Sequence, residues 1–331
     1  MDWTYKVSKM SQEPLVSIIC VCFNQGDYIL EALQSVVAQD YPNLELIIVD
    51  DASTDDSTDK IIEFCKQFPS INSILHTKNI GHCAAFNSGL ALAKGDFIID
   101  LAGDDVLLPN RVSLQMAAFK ALNKNYAVVF TDTYIIDENG RSLGTFYKRD
   151  AAGQLKQKVP TGNIYKDLIR KMVLSSPTMM MRKSVLDALG GYDATLSYED
   201  YDFWVRSGKN YKYFFLNEIT TKKRKVKNSQ GSQFYKNRQN KHLESTLKVC
   251  HKAKILNQNK GEDLALAVSV SYHLQLAYLT DNHPICIEFY NLLKTLKKPK
   301  IKDVLFVKLA KQGVKANYLY RWFLKWFRGI K

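Results

Sequence analysis

The stretch "VSIICVCFNQGDYILEALQSVVAQDYPNLELIIVDD", residues 16–51, decides the fold class. Two almost unbroken runs of Val, Ile, Leu and Cys, at 16–22 and 44–49, flank a segment with apolar residues at helical spacing, Ile29, Leu33 and Val36. A strand apolar on successive residues must be covered on both faces, which is the mark of a parallel sheet crossed by helices. The pattern then repeats: "STDKIIEFCKQF", "NSILHT", "HCAAFNSGLALAK" and "DFIIDLA" continue as helix, strand, helix and strand. The expectation is an α/β fold, a doubly wound, mostly parallel sheet with helices on both faces. In such sheets ligands bind beyond the carboxyl ends of the strands.

Two acidic pairs fall at such ends. Asp50-Asp51 close the second run, and Asp104-Asp105 follow "DFIIDLAG". Adjacent carboxylates in a crevice repel, and a divalent cation such as Mg²⁺ or Mn²⁺ relieves that repulsion while taking its remaining ligands from water and phosphate oxygens. A plain helix cap before Pro109 would account for one acid, not both. In "VDDASTDDSTD", residues 49–59, the second half reads as ordinary capping chemistry. Asp50 and Asp51 are placed to accept hydrogen bonds from a base or a ribose. "CFNQGD" stands where a dinucleotide fold carries its glycine motif, and no Walker loop is present, so those two nucleotide classes are disfavoured.

From about residue 125 the pattern changes. "AVVFTDTYIIDENGRSLGTFYK" reads as a strand, a turn at Glu138-Asn139-Gly140 and a returning strand. Residues 151–163 read as a polar loop and a candidate flap. Beyond 232 helical periodicity dominates.

Charge divides the chain. Of 331 residues, 1–231 carry 27 basic and 27 acidic side chains, whereas 232–331 carry 19 basic and 6 acidic, so the whole net charge of +13 lies in the last hundred. Two parts are therefore expected: 1–231, a neutral body, and 232–331, a basic helical region that meets something anionic. The chain ends "YLYRWFLKWFRGIK", where Tyr318, Trp322, Phe323, Trp326 and Phe327 interleave with Arg321, Lys325 and Arg328. That arrangement suits an interfacial helix on anionic lipid; the same aromatics could equally pack on the body. No nucleic-acid motif accompanies it, and no nucleic-acid partner is expected. No leader or membrane-spanning segment is visible, and the six cysteines lie mostly in apolar runs without a CxxC pair. The expectation is a cytoplasmic protein with reduced core thiols, peripheral on the inner face of the cell membrane.

With "VSIICVCFNQGDYILEALQSVVAQDYPNLELIIVDDASTDDS", "NIGHCAAFNSGLALAKGDFIIDLAGDDVLLPNR" and "PTMMMRKSVLDALGGYDATLSYEDYDFWVR" in this order, the chain resembles the family 2 glycosyltransferases of GT-A fold over residues 14–230. The resemblance implies transfer of a sugar from a nucleotide diphosphate, commonly UDP, with inversion at the anomeric carbon and a divalent cation. It places Val21, Phe23 and Asn24 beside the base, Asp51 on the uracil ring with Asp50 next to it, and Asn87 among the donor contacts. It makes Asp104 the acid near the ribose, Asp105 the metal ligand and Asp200 of "YEDYDFW" the catalytic base, with Glu199 and Asp202 as flanking acids. Arg224 and Lys227 become candidate phosphate contacts. The chain departs from the family where Ala102 replaces the first acid of the metal motif, Phe86 a frequent arginine and Lys227 a frequent histidine. The implied acceptor is a glycan or lipid-linked hydroxyl in surface polysaccharide synthesis. The competing expectation is a catalytically idle domain of the same fold that binds a membrane or a partner.

Overall fold

The computed structural model describes residues 13–226, 230–318 and 320. They form two compact units. The first comprises the described residues up to Ile164 together with Val173–Thr195 and Asn210–Val226; the second comprises Tyr165–Met172, Leu196–Lys209 and the described residues from 230 onward.

The first unit is built on a nine-stranded sheet. Its elements are β1 (Val16–Cys22), α1 (Ile29–Val37), β2 (Leu44–Asp50), α2 (Ser57–Gln67), β3 (Asn72–Leu75), α3 (His82–Leu92), β4 (Phe97–Ala102), β5 (Val106–Leu107), α4 (Arg111–Ala121), β6 (Tyr126–Ile136), β7 (Ser142–Thr145), β8 (Met180–Arg182), α6 (Lys183–Ala188) and β9 (Lys212–Arg224); α5 (Tyr165–Arg170) belongs to the second unit. The strand order is β3-β2-β1-β4-β8-β6-β9-β5, with β7 paired to β6. Strands β3, β2, β1 and β4 run parallel, in the register Val16↔Leu44 and Val16↔Phe97. The antiparallel excursion read after residue 125 is β6 and β7, joined through Gly140 at φ +79°. Antiparallel β8 couples the two halves of the sheet, and β9 returns parallel to β6 before pairing antiparallel with β5.

Alternation along β1 shows why its strands carry no polar face. Ile18, Cys20 and Cys22 enter one core with Ile29 and Leu33 of α1, Phe64 of α2 and Met116 of α4. Ile19 points to the other side, where α3 lies so close that a Cβ on Gly89 would sit 2.6 Å from Ile19 Cγ2 and 3.1 Å from Val49 Cγ2. All six cysteines are free thiols, five of them buried.

The second unit is helical: α5, α7 (Asp200–Gly208), α8 (Lys241–Leu256), α9 (Lys260–Leu279), α10 (His283–Leu296) and α11 (Ile301–Lys311), with a short turn at Gln230–Gln233. Asn240 and Asn259 cap α8 and α9 by accepting backbone N–H groups of the first turn. Lys209 donates to Glu262 at 2.8 Å and lies over the Tyr165 ring, which fastens the end of α7 within this unit. Among the described residues no helix is long and apolar enough to cross a membrane.

Replacing Gly89 by alanine tests the packing of α3. Helix propensity favours alanine by about 1 kcal/mol, but the added methyl meets two β-branched side chains fixed in the sheet, and overpacking costs about 1–3 kcal/mol. The variant is expected to be net destabilised, read as a lower urea midpoint with an unchanged slope.

Candidate active site

Three strand ends of the first unit converge at one edge of the sheet, because β1 lies between β2 and β4. The turn after β1 puts Asn24 in the left-handed region, φ +53°, a conformation asparagine tolerates. Its N–H donates to Ser53 Oγ at 2.9 Å and its Oδ1 accepts the Thr54 N–H at 2.7 Å. Gly26 N–H donates to Asp55. The hydroxyl-rich segment after β2 thus ties down the turn after β1, beyond the capping role its composition suggests. Val21 is buried and Phe23 is 46% exposed at the mouth of this edge.

Asp50 and Asp51 are both buried. Asp50 accepts from the Ser53 hydroxyl, the Ser53 N–H and the Thr58 hydroxyl, and so organises the loop that follows it. Asp51 accepts the Ile80 and Gly81 N–H groups, one on each oxygen, at 2.8 and 2.9 Å. It fixes the start of α3. Each oxygen keeps a further lone pair for a ligand donor. Asn87 exchanges two hydrogen bonds with the Tyr192 backbone, 2.7 and 2.9 Å, which anchors the turn at Gly191.

The second acidic pair follows β4. Gly103 fits closely there: a Cβ would fall 2.7 Å from Gln25 Oε1 and 3.0 Å from Ile29 Cδ1, and both side chains would have to shift. Neither acid caps α4, whose N-cap is Asn110. Asp105 is buried and accepts the Arg224 N–H at 2.8 Å, while Arg224 Nε donates to the Asp104 carbonyl. The Arg224 guanidinium also donates to the carbonyls of Asp137 and Glu138 and to Glu31, and lies over the Tyr28 ring. Its N–H and Nε tie β9 to the turn that carries the acid pair, its charge is paired with Glu31, and the residue is buried. Burial, reinforced by Asp104, pushes the Asp105 carboxyl up to about 8. Burial likewise raises Asp104. Two hard carboxylates side by side, one of which resists ionisation when alone, are the donor set a divalent cation satisfies, so the residues fit such an ion.

Several residues here were not legible as site residues. Lys223, next to Arg224, is a cation whose charge opposes the rise of both Asp104 and Asp105. Arg111 is fully buried and donates to Gln115, Thr221 and the Met179 carbonyl. Burial brings it down to about 9, opposed by Asp105 and Asp100; it stays cationic at neutral pH and offsets the acids from within. Asp100, two residues before Ala102 and therefore on the same side of β4, accepts the Tyr192 hydroxyl at 3.1 Å and lies 3.5 Å from His82 Nε2. The nearest sequence signal was that parity with Ala102.

Asp200 is the first residue of α7, in the second unit, with Glu199 at its N-cap. The helix N-terminus favours its carboxylate. Asp202 is buried and bound by Arg206 at 2.6 Å and Lys252 at 2.7 Å, which assigns it to holding α7 on α8. Lys227 and the terminal Arg321, Trp322, Phe323, Lys325, Trp326, Phe327 and Arg328 lie outside the described residues; Tyr318 is described and exposed.

A family model described as glycosyl transferase family 2 matches residues 17–190. The uncharacterized glycosyltransferase MJ1057 of Methanocaldococcus jannaschii is 29% identical over 215 residues, 64% of this chain and 71% of that protein. WcaA of Escherichia coli, named for colanic acid biosynthesis, is 33% identical over 153 residues, 46% of this chain and 52% of that protein. Among solved structures, Staphylococcus aureus TarS 1–349 in complex with UDP superposes with a TM-score of 0.64 at 17% identity, covering 95% of this chain and 92% of that one. It shares the fold, including the C-terminal helices.

The raised Asp105 carboxyl makes stability depend on pH. An acid whose folded value, about 8, exceeds its unfolded value keeps its full contribution below about pH 4 and loses it as pH rises through the folded value. In chelator, Asp105→Asn is therefore expected to melt a few degrees above the unmodified protein at about pH 9, with the gap closing near about pH 4. Scanning calorimetry at both pH values reads it; a pH-independent gap would show that Asp105 carries no strained charge.

Proposed function

The chain belongs to glycosyl transferase family 2 and is a glycosyltransferase, and from that premise we propose that it transfers a sugar from UDP, with inversion, to a hydroxyl of a glycan or lipid-linked acceptor in surface polysaccharide synthesis. The observation that carries this reading is the Asp104-Asp105 pair at the carboxyl end of β4, with Asp105 buried, Arg224 bonded to both residues and Arg111 and Lys223 supplying positive charge to Asp105. The UDP in the TarS complex and the colanic acid assignment of WcaA support the donor and the setting.

The residues take these roles. Val21, Phe23 and Asn24 present a surface to the base, and Asp51, already fixed by Ile80 and Gly81, accepts from the uracil ring beside Asp50. Asn87 keeps the α3 wall of the donor site in place through Tyr192. Asp104 lies toward the ribose, and Asp105 would hold Mn²⁺ or Mg²⁺. That cation, when bound, acts as a Lewis acid on the leaving diphosphate. Lys223 adds a cation where Phe86 leaves the family's frequent arginine absent, and Lys227 is retained as a phosphate contact. Arg224 positions the acid pair and reaches phosphate only through it. Asp200 removes the proton from the acceptor hydroxyl as it attacks the anomeric carbon; one base suffices for a single displacement. The excess positive charge of the C-terminal region supports a peripheral seat on an anionic membrane, where a lipid-linked acceptor is found.

Asp105→Asn is expected to lose the Mn²⁺-dependent part of UDP binding in calorimetry. For Asp200→Asn, UDP affinity should persist while transfer drops by roughly 100-fold or more. Donor hydrolysis and transfer across a panel of nucleotide sugars, with and without Mn²⁺, separate the two. Unchanged UDP affinity in the first variant, or near-normal transfer in the second, would remove the assigned role.

A further inference from the structure

Between Lys294 and Lys311 the chain carries seven lysines, at 294, 297, 298, 300, 302, 308 and 311, and a single acid, Asp303. Asp303 is buried: it accepts from Ser271 Oγ at 2.8 Å, from Gln275 Nε2 and from the Lys300 N–H, so its carboxylate serves the start of the helix and its packing within the second unit. Six of the seven lysines are exposed and Lys297 is half-buried.

Helix α11 inverts the usual distribution. Its inward positions are Asp303, Val307 and Ala310. Its outward positions, at i, i+3, i+4 and i+7, are Ile301, Val304, Leu305 and Lys308, and the first three are 89%, 44% and 51% exposed. Lys302 and Lys311 stand on the two flanks of this apolar strip, and Lys298 and Lys300 precede its start. A solvated helix does not turn Ile, Val and Leu outward at consecutive turns. We propose that α11, with the lysines that lead into it, is a membrane-docking face that lies in the plane of an anionic lipid surface, Ile301, Val304 and Leu305 entering the headgroup boundary and the lysines pairing with lipid phosphates.

Charge selects the occupant. A second copy meeting this face across a two-fold axis would set lysine against lysine with no acid of the stretch to compensate. A nucleic acid would match the lysines but leave the three aliphatic side chains against phosphate. An anionic bilayer satisfies both features. This face is separate from the terminal segment 315–331, and it stands or falls independently of the donor chemistry.

Full-length protein is sedimented with vesicles of equal parts phosphatidylcholine and phosphatidylglycerol, and with phosphatidylcholine alone, at low and high salt. The unmodified protein is expected on the anionic vesicles only, less so as salt rises. The triple variant Lys298→Gln, Lys302→Gln, Lys308→Gln is expected to lose on the order of 100-fold in partitioning, about fivefold for each lysine. The pair Ile301→Asp, Leu305→Asp is expected to lose binding even at low salt. Melting temperature and UDP titration run alongside; if the aspartate pair is unstable, the glutamine variant, changed only at exposed positions, decides. Binding of either folded variant equal to that of the unmodified protein overturns the proposal, and so does equal binding to neutral vesicles. An oligonucleotide bound in place of vesicles, or a dimer that Ile301→Asp dissolves, overturns it as well.

Discussion

Burial of Asp105 at the end of β4, with the half-buried carboxylate of Asp104 next to it, is the constraint around which the first unit is arranged. Asp105 is held away from water, with Asp104 next to it, and the sheet supplies what such a pair requires. Arg224 gives Asp105 its backbone N–H and binds the Asp104 carbonyl through its side chain, and the same guanidinium reaches Glu31 and the carbonyls of Asp137 and Glu138. One residue at the end of β9 thereby joins α1, the turn after β4 and the end of β6. Arg111 provides a second, wholly interior cation.

The other strand ends are rigid for the same reason that they are polar. Asp50 and Asp51 use their oxygens on neighbouring N–H and hydroxyl groups, which fixes the two loops on either side of the β1 turn. Acceptors held this way are already oriented, so a ligand donor meeting them would need little reorganisation. Two departures from the family pattern have defined neighbours. Ala102 lacks a carboxylate, while Asp100 stands on the same side of the strand with Tyr192 and His82 around it. Phe86 lacks a guanidinium and stacks on Tyr192, with ring centroids 4.2 Å apart.

The second unit shows the opposite economy of charge. Within it, lysines that have work in the fold are paired, as Lys209 is with Glu262 and Lys252 with Asp202. Of the seven between 294 and 311, six are exposed, several of them beside exposed aliphatic side chains. A surface that combines both features is costly in water and favourable at a lipid headgroup, the physical basis of the proposed docking face.

What the sequence determined by itself was whatever depends on local pattern. Unbroken apolar runs at 16–22 and 44–49 required a sheet covered on both sides, and the asparagine-glycine turn at 139–140 required a hairpin, because strand burial and turn conformation are set by neighbours along the chain. The acid pairs were legible as a site for the same reason: adjacent carboxylates after a strand need a partner wherever they fold. Tertiary structure alone decided which side chains answer that need. Arg111 and Lys223 lend positive charge to Asp105 from α4 and β9, and Arg224 binds the turn that carries the pair through its N–H and Nε; sequence spacing cannot make these distinctions, because Arg224 lies more than a hundred residues from the acids and Arg111 is held in place by Thr221, as far along the chain. The same holds for Asp202, whose acidity reads like that of Asp200 until Arg206 and Lys252 are seen on it, and for α11, whose lysines were visible as charge but whose outward-facing Ile301 and Leu305 depend on Asp303 being the residue that turns inward.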